Sequence, residues 1–588
     1  MAKQQSPSTI TQKPSRWPFI GAAIIAALAA LTTFVFTTSS PDGCPQTSPM
    51  APPHGDLSAF RTPEFRNWSL AVLQRSVRVR TEAYDDAGPV GLDHRWDVFY
   101  EFERVLKESF PNVHHTLLLE HVNTHSLVYT WNGTVPGLKP TILMAHQDVV
   151  PVFDDSLDKW THPPYAADFD GTYVWGRGAS DDKGSLLAIL EAVEILVKQG
   201  MRPRRTIILA FGFDEEISGH YSAAKIGKFL ETRYGPNSVH SIIDEGGLGV
   251  IKQQGVKFAL PGVIEKGMFD IKVQLNTPGG HSSMPPDHTA IGIISELAVV
   301  MESTPFQPVL TQHSPVYAYL RCTAEYAPVP AAFRGIIQWL AKHTTSSWLV
   351  QKAIFHVLGK TSATKYMVQT SQAIDLMQGG LKVNALPEQA TLVANYRIDL
   401  DSTVQQTLDK VIANAKTVAT KHGLGVAVNH TLDDGTVNFQ QVMKPSGNGK
   451  GKRPGLGQVA GSLVVSNFGI SRPVSPITPT VGSEAWETLS GTIRYVFEEF
   501  GGAIMDPTKE NQYDKAVAEQ GPVIVAPSLM VANTDTVHYW RLSDNIFRFA
   551  PYRYESVTAN NIHTVDERIA LDVHIEAAAF YYSYILNV

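Results

Sequence analysis

Two continuous apolar runs, residues 141–145 and 206–213, flank a stretch with helical periodicity. Such runs are typical of strands that are covered on both faces, as in a parallel sheet. Between them, four apolar residues recur three or four positions apart: Leu186, Leu190, Val193 and Val197. Gly200 follows where such a helix would end. This order predicts an α/β fold with an open, mostly parallel sheet, in which ligands bind beyond the carboxyl ends of the strands.

The periodicity changes near Pro261. Apolar and polar residues alternate over 271–275 and over 392–398, which predicts half-exposed strands. A helical stripe over 404–418 follows and ends before Gly423. This mixture of elements predicts a second, smaller α+β unit.

The two patterns predict a divided catalytic domain. Residues 60–260 and 431–588 would form its two parts, and residues 261–430 an inserted lid or dimerisation domain. Within the insert, residues 303–370 are a helix-rich elaboration. After it, the apolar run 523–526 is bracketed by prolines and predicts another buried strand.

Residues 17–36 form a run of 20 residues without a charge, long enough to span a bilayer as a helix. Basic residues precede the run, and the first basic residue after it is Arg61. The positive-inside tendency then leaves the N-terminus in the cytosol. We predict a cytosolic tail over 1–16, a transmembrane signal anchor over 17–36 and a Pro/Ser-rich stalk over 37–59. A cleaved signal peptide is the competing interpretation.

The composition is that of an ordinary folded protein. Of 588 residues, 43% are hydrophobic and 18% charged, with a formal net charge of −7. No long basic run is present, which argues against nucleic acid as a partner. Cys44 and Cys322 are the only cysteines; they are too few for a disulfide framework, and the sequence leaves open whether they pair. Glycosylation acceptor triplets begin at Asn67, Asn132 and Asn429 and are meaningful only in a translocated chain.

Five short segments carry histidines and a surplus of carboxylates, and each ends an apolar run or begins the loop after one. They are residues 145–148, 178–184, 214–216, 244–247 and 561–567. Imidazole and carboxylate suit Zn²⁺, and together they are the ligands of a two-metal hydrolytic site. We expect the segments to converge at one edge of the sheet.

Asp181 is suited to bridge two metal ions. One carboxylate can be shared by metals about 3.5–4 Å apart. Three nearby glycines let the backbone turn sharply and approach closely: Gly176, Gly178 and Gly184. Glu215 and Glu216 are adjacent, so in an extended backbone their side chains diverge. One of them can bind metal while the other serves as general base.

These segments resemble motifs of the co-catalytic zinc peptidases, a family that includes aminoacylases, succinyl-diaminopimelate desuccinylase and glutamate carboxypeptidases. The resemblance covers about Phe60 to the C-terminus. Its motifs occur in the family's order: His146-Gln147-Asp148-Val149-Val150-Pro151, Gly176-Arg177-Gly178-Ala179-Ser180-Asp181-Asp182-Lys183-Gly184, Asp214-Glu215-Glu216 and Thr277-Pro278-Gly279-Gly280-His281-Ser282-Ser283.

The resemblance implies two Zn²⁺ ions per subunit. The implied metal ligands are His146 and Asp244 for one ion, Glu216 and His563 for the other, and Asp181 as the bridge. Each of the pairs Asp181-Asp182 and Asp244-Glu245 offers two carboxylates, and the family pattern favours the first of each pair.

The resemblance also implies catalytic roles. Glu215 would be the general base that takes the proton of a water between the metals and passes it to the leaving nitrogen. Asp148 would orient His146 through its other ring nitrogen, as metal-bound histidines usually require. His281 in the insert would polarise the scissile carbonyl.

Substrate binding would involve Arg397, whose fork-shaped guanidinium suits a carboxylate, together with Asn384. Asp535 and His538 resemble part of a substrate pocket in the family, and a purely structural role is the alternative interpretation.

The implied function is a zinc exopeptidase that removes the C-terminal residue of short peptides, with glycine as the preceding residue. The protein would be a single-pass type II membrane protein, with its catalytic part in the vacuole lumen, and a homodimer as often in the family. A second hypothesis is hydrolysis or synthesis of N-fatty-acyl amino acids, with residues 303–370 supplying an apolar groove. A third, a non-catalytic receptor with a peptidase-like fold, is disfavoured because every ligand position carries a competent side chain.

Overall fold

A mixed sheet of eight strands, here called the central sheet, underlies the larger part of the fold. The computed structural model describes residues 43–342, 362–431, 437–445, 461–500, 521–554 and 561–588, with isolated positions between 352 and 359. In spatial order the strands of the central sheet are Leu118–Val122, Ser126–Trp131, Ile207–Gly212, Thr141–His146, Ser241–Asp244, Ile546–Arg548, Gly262–Glu265 and Ser528–Met530.

The middle of the central sheet is parallel. Four neighbouring strands, from Ile207–Gly212 to Ile546–Arg548, run in the same direction. Antiparallel pairs lie on both sides of them. The predicted α/β class is therefore confirmed, whereas the prediction of a mostly parallel sheet holds only for its middle.

Both faces of the central sheet are covered, which explains its continuous apolar runs. The strand Thr141–His146 contributes Leu143 and Ala145 to one hydrophobic cluster and Ile142 and Met144 to another. Because successive side chains of a strand point to opposite faces, a strand covered on both sides must be apolar throughout.

Helices supply that cover. The predicted helix is confirmed as Lys183–Lys198, and it packs against the C-terminal helix Leu571–Asn587. Both are buried on nearly all sides, as expected for helices without a polar face. The other helices of this part are Pro63–Val77, Val98–Ser109, Pro111–Thr116, Ala223–Tyr234 and Glu484–Arg494, the last continued by a π-helix over Tyr495–Phe500.

The described residues also form three small sheets. A four-stranded sheet contains Val523–Val525, Val256–Ala259, Val250–Gln253 and Arg553–Tyr554. A three-stranded sheet contains Arg568–Ala570, Tyr173–Trp175 and Asp168–Phe169. A two-stranded ribbon pairs Gly280–His281 with Ala385–Leu386. Val523–Val525 confirms the buried strand predicted at 523–526.

A second sheet of six strands, here called the insert sheet, forms the smaller unit. In spatial order its strands are Ser371–Gly379, Gln389–Ile398, Gly267–Asn276, Ser462–Arg472, Gly425–Thr431 and Val437–Met443. The insert sheet thus continues past residue 430, where the return to the catalytic domain was predicted. That boundary was placed too early because a Gly/Lys-rich stretch over 446–457 separates the strand Ser462–Arg472 from the other strands along the chain.

One face of the insert sheet packs on helices Ala290–Ser303 and Val404–His422. The strand Gly267–Asn276 alternates strictly between buried and half-buried residues, as its sequence pattern predicts. Val404–His422 begins with a capping box formed by Thr403 and Gln406 and ends at Gly423, which adopts a left-handed conformation with φ of 68°.

The helix-rich elaboration contains Pro315–Tyr326, Ala331–Lys342 and Ser362–Lys365. Its apolar residues, among them Val316 and Leu320, join one hydrophobic cluster with Ile251, Phe258 and Leu529. The elaboration therefore packs against the sheets of the catalytic part, although it is inserted within the chain segment of the smaller unit.

Residues 43–60 form a strap that packs along the catalytic part. A disulfide joins Cys44 to Cys322, which settles the pairing that the sequence leaves open. The Oε1 atom of Gln46 accepts a hydrogen bond of 2.8 Å from the backbone of Val525, and Phe60 is fully buried. The prediction of a stalk over 37–59 is therefore wrong for its described part, because local composition does not register contacts with distant residues.

The predicted anchor over 17–36 lies outside the described residues. Across the part of the chain that the structure describes, no helix combines the length and apolar character needed to cross a bilayer. The predicted localisation as a single-pass type II membrane protein is corrected accordingly, and no membrane-spanning helix is assigned.

Candidate metal centre

The acidic and histidine-bearing segments meet at the carboxyl edge of the central sheet. His146 is the last residue of Thr141–His146, and Glu215 and Glu216 follow the neighbouring strand Ile207–Gly212. Glu245 directly follows the strand Ser241–Asp244 on the other side. Because these strands are parallel and adjacent, their C-terminal loops lie side by side.

Asp181 links the two predicted histidine ligands. Its Oδ1 lies 3.1 Å from Nε2 of His146, and its Oδ2 lies 2.9 Å from Nε2 of His563. Glu216 Oε2 lies 3.1 Å from the same nitrogen of His563. His146, Asp181 and Glu216 offer ligand atoms within 4.8 Å of one another. These residues were predicted as metal ligands, and the structure brings all of them together.

Glu245, rather than the predicted Asp244, faces this centre. The side chains of His146, Asp182 and Glu245 form a second group with ligand atoms within 4.8 Å of one another, and Glu245 Oε1 lies 3.5 Å from His146 Nε2. Asp244 is in neither group. Asp244 is nevertheless buried near His146, and its Oδ2 atom has no hydrogen-bond partner in the described part of the chain.

Asp148 orients both His146 and the turn that carries Glu215 and Glu216, here called the glutamate turn. It is fully buried, and its Oδ1 lies 3.3 Å from Nδ1 of His146. Its two carboxylate oxygens accept hydrogen bonds from the backbone N–H groups of Glu215, at 3.2 Å, and Glu216, at 3.0 Å. This placement agrees with the orienting role expected of Asp148.

Glu567 holds the loop that carries Asp181, a role that sequence analysis missed. Its Oε1 accepts hydrogen bonds from the backbone N–H groups of Gly178, Ser180 and Asp181, at 3.0–3.1 Å. Its Oε2 accepts a bond of 2.6 Å from Arg177. Glu567 lies within the segment 561–567 that the sequence singled out, but its function depends on contacts with residues nearly 400 positions away in the chain.

The turn that carries Glu215 and Glu216 is fixed by its neighbours. It is a 3₁₀-helix over Glu215–Ile217 that ends at Ser218 in a left-handed conformation, with φ of 87°. Such a conformation is unfavourable for a residue other than glycine and persists only where surrounding contacts impose it. The preceding Asp214 supplies such contacts by accepting hydrogen bonds from the backbone of Tyr221 and Ser222.

The centre holds more acid than its histidines can neutralise. Burial raises the pKa of Glu216 to about 7, and the nearby charge of Asp181 adds to this effect. Burial likewise raises the pKa of Glu215 well above its usual value, with further contributions from Asp535 and Glu216. Hydrogen bonds to Asp181 and Glu216 raise the pKa of the His563 imidazole to about 10.

These side chains fit divalent cations. Glu216 Oε1 and Asp182 Oδ2 are buried and have no hydrogen-bond partner in the described part of the chain. Buried carboxylate oxygens without donors are costly, and a metal ion would satisfy them while offsetting the surplus negative charge. The residues therefore form a metal-ligand group.

The predicted substrate residues of the insert fall in two places. Arg397 donates a hydrogen bond of 2.6 Å to Oδ1 of Asn533, in a loop of the catalytic part. His281 instead lies on the exposed two-stranded ribbon and Asn384 directly precedes its second strand, where Ser282 donates its backbone N–H to the Asn384 carbonyl. In the described residues, no hydrogen bond or ion pair joins this ribbon to the acidic centre.

Asp535 and His538 lie against the glutamate turn. Asp535 is buried, and a side chain at Gly212 would come within 2.9 Å of its Oδ2 atom. His538 Nε2 lies 3.2 Å from the carbonyl of Ser218. Both residues therefore border the glutamate turn, and a role in a substrate pocket stays a prediction.

Residues 142–587 match peptidase family M20/M25/M40, a region that includes every residue of the metal-ligand group. The chain belongs to this family. The protein is accordingly a hydrolase of the metallo-carboxypeptidase class, which confirms the class predicted from the motifs.

Several curated proteins are similar over most of the chain. An uncharacterized carboxypeptidase of Schizosaccharomyces pombe is 38% identical, with 90% of this chain and 81% of the relative covered. Carboxypeptidase S of Saccharomyces cerevisiae is 35% identical, with 93% of this chain and 88% of the relative covered. An N-fatty-acyl-amino acid synthase/hydrolase of Danio rerio is 29% identical, with 90% of this chain and 87% of the relative covered.

Solved structures share the fold. Human carnosine dipeptidase 1 superposes with a TM-score of 0.53 at 13% identity, covering 91% of this chain and 99% of that one. An M20 family metallo-carboxypeptidase of Sulfolobus solfataricus superposes with a TM-score of 0.52 at 15% identity, covering 88% and 98%.

Proposed function

We propose that the protein is a zinc exopeptidase that removes the C-terminal residue of short peptides, with glycine as the preceding residue. The observation that carries this proposal is the position of Asp181, whose two carboxylate oxygens each contact a histidine from a separate chain segment, His146 and His563. One carboxylate placed between two sets of ligands is the arrangement that a pair of metal ions needs.

We assign two zinc ions to this centre. His146, Glu245 and the shared Asp181 would hold the first, and Asp181, Glu216 and His563 the second. Glu245 thereby replaces Asp244 in the ligand set predicted from the sequence. When bound, the ions would supply the positive charge that lowers the pKa of a water and stabilises an oxyanion.

Glu215 is proposed as the general base. It lies next to Glu216 in the turn held by Asp148, so it reaches the centre without being part of either ligand group. Its carboxylate would accept a proton from the attacking water and deliver it to the nitrogen of the leaving residue.

The insert is proposed to bind the substrate. Arg397, at the interface with the catalytic part, would bind the free carboxylate of the C-terminal residue, with help from Asn384. His281 would polarise the scissile carbonyl after closure of the insert brings the exposed ribbon to the centre.

The test is a panel of substrates with and without a chelator. Zinc-loaded protein should hydrolyse Gly-Leu, lose this activity when the metal is removed, and regain it when zinc is returned. Gly-Leu amide should be a poor substrate, and Arg397→Ala should raise the KM for Gly-Leu more than for its amide. Failure of the zinc-loaded protein to cleave any dipeptide with a free carboxylate would contradict the proposal.

A second candidate, hydrolysis or synthesis of N-fatty-acyl amino acids, is favoured by one observation. Three apolar side chains on or next to the ribbon of His281 are strongly exposed: Leu381 at 106%, Val383 at 98% and Met284 at 78%. An acyl chain would be covered by such a surface. Comparing kcat/KM for Gly-Leu and for oleoyl-leucine decides between the two substrate classes.

A homodimer is proposed through the insert. The strand Ser371–Gly379 is at the edge of the insert sheet, and Leu376 and Met377 on it are exposed. An exposed edge strand with apolar side chains readily pairs with another strand. The molar mass of the purified protein in solution, compared with that of Leu376→Lys, tests this association.

A further inference from the structure

Arg397 and Arg472 lie in one row on the same face of the insert sheet. Met268, on the strand between them, pairs with Arg397 on one side and with Arg472 on the other. Residues directly opposite one another across neighbouring strands project from the same face. Two strand spacings separate the arginines, about 9–10 Å between their Cα atoms, which long side chains can easily bridge.

Both side chains reach loops that border the metal centre. Arg472 donates a hydrogen bond of 3.0 Å to the carbonyl of Ser218, two residues beyond the metal-ligand candidate Glu216. Arg397 donates to Asn533, which precedes the buried Asp535 by two residues. The row of arginines therefore faces the centre across the junction between the insert and the catalytic part.

Neither guanidinium group forms an ion pair in the part of the chain that the structure describes, although the carboxylate of Asp270 acts on Arg397 from the same face of the insert sheet. Neither lies within 4.0 Å of a carboxylate in the described ranges of the chain, although Arg472 is only 7% exposed. Burial lowers the pKa of Arg397, the nearby charge of Asp270 raises it, and the positive charge of Arg472 lowers it. Two like charges held together and partly removed from water are unfavourable unless an anion joins them.

Two histidines, His538 and His220, lie beside Arg472. His538 lies against the same Ser218 carbonyl, and its ring is next to that of His220, with centroids 6.2 Å apart. Burial lowers the pKa of His538 to about 4, and the charge of Arg472 contributes to this shift. The histidines are thus neutral near pH 7, and the charge available for an anion resides on the arginines.

We propose that Arg472 is a second substrate-binding residue, which together with Arg397 binds the free carboxylate of the substrate. The proposal rests on the proposed function, because it identifies the end of the substrate that this site recognises. Two guanidinium forks can surround both oxygens of a carboxylate with N–H donors. Because C-terminal residues of peptides and N-acyl amino acids both carry this group, the inference holds for either substrate class.

The test measures binding without turnover. Zinc-loaded Glu215→Gln protein is titrated by calorimetry with Gly-Leu and with Gly-Leu amide, alone and combined with Arg472→Gln. We expect Arg472→Gln to weaken binding of Gly-Leu about tenfold or more and to change binding of the amide by less than about twofold. Zinc content should not change.

Lys272 offers a matched control. It lies on the same strand as Met268, four residues along and on the same face, so Lys272→Gln removes one positive charge from that face away from the junction. This variant should bind Gly-Leu and its amide as the Glu215→Gln protein does. An equal loss of affinity for Gly-Leu and for its amide in Arg472→Gln, or a loss of bound zinc, would show that Arg472 only supports the turn at Ser218. Either result would overturn the proposal.

Arg472→Lys keeps the charge but not the planar fork. The ratio of its affinities for Gly-Leu and Gly-Leu amide should lie between the ratios of the protein with Arg472 and of Arg472→Gln. If Arg472→Gln does not fold, this ratio tests the proposal in its place. Binding of Gly-Leu or oleoyl-leucine without hydrolysis by the zinc-loaded wild-type protein would contradict the proposed function alone. Absence of binding of both ligands would overturn the carboxylate site as well.

Discussion

The backbone N–H of Glu216 donates a hydrogen bond of 3.0 Å to Oδ2 of Asp148. The other oxygen of the same carboxylate lies 3.3 Å from Nδ1 of His146. One buried carboxylate thus sets the orientation of a histidine at the end of one strand and of a glutamate turn at the end of the next. The relative position of two metal-ligand candidates depends on it.

Asp148→Asn should therefore weaken metal binding. The amide places an N–H₂ donor against groups that also donate, so both the histidine and the turn lose their fixed orientation. We expect zinc affinity to fall about 10- to 100-fold, measured by competition with a chromophoric chelator. Asp168→Asn is a matched control, because Asp168 also contacts a histidine, His162, but at the surface. Unchanged affinity in Asp148→Asn would contradict an orienting role.

The adjacent glutamates should respond differently to the same substitution. Glu215→Gln removes the proposed base and should lower kcat by about 10²–10⁴ while zinc content stays near that of the wild type. Glu216→Gln removes a ligand and should lower the zinc content itself. Metal analysis and kinetics on the same preparations distinguish the two effects. The reverse outcome would exchange the roles of these residues.

The neighbouring acids Asp244 and Glu245 allow a direct test of the proposed ligand Glu245. Glu245→Gln should reduce bound zinc because Glu245 lies in a group with His146. Asp244→Asn should retain more zinc, since Asp244 lies outside both groups. Zinc per subunit after exhaustive dialysis measures the difference. A greater loss of bound zinc in Asp244→Asn than in Glu245→Gln would support the ligand set predicted from the sequence.

Zinc affinity should rise with pH. Without metal, the pKa of His563 is about 10 and that of Glu216 about 7, so near neutrality the imidazole is protonated and the carboxyl partly so. Zinc must displace these protons, and lower pH favours the protonated form. Despite the opposing effect of burial, neighbouring acids also raise the pKa of His146 well above its usual value, so we expect affinity to fall at least about tenfold per pH unit between pH 9 and 7, and more steeply below 7. A pH-independent affinity would contradict proton displacement at these ligands.

Loss of the disulfide between Cys44 and Cys322 should destabilise the fold. The bond closes a loop of 278 residues along the chain and holds the strap against the helix-rich elaboration. Removing such a bond typically costs about 2–5 kcal/mol in the free energy of unfolding, which urea denaturation of Cys44→Ser/Cys322→Ser would measure. A reducing agent should destabilise the wild type to a similar extent and leave the double variant unaffected.

The predicted elements that the structure confirms are those with strong local patterns. The apolar run of Thr141–His146 and the stripe of Lys183–Lys198 each carry their periodicity within one segment. The strand Ser462–Arg472 of the insert sheet lies beyond a Gly/Lys-rich stretch, so only its pairing shows which sheet it joins. The role of the strap, likewise, depends on a cysteine 278 positions away.

For the site, the amino-acid sequence alone determined the ligand chemistry and its place at the ends of buried strands, because motif composition and periodicity are local properties. Tertiary structure decided which acid of the pair Asp244-Glu245 joins His146 and Asp182 in one group of ligand atoms: it is Glu245, 3.5 Å from the His146 ring nitrogen. It also decided that Glu567 supports the loop of Asp181 and that Arg472 stands beside Arg397. These relationships arise from strand pairing and packing between segments far apart in the chain, where spacing along the sequence carries no information about distance.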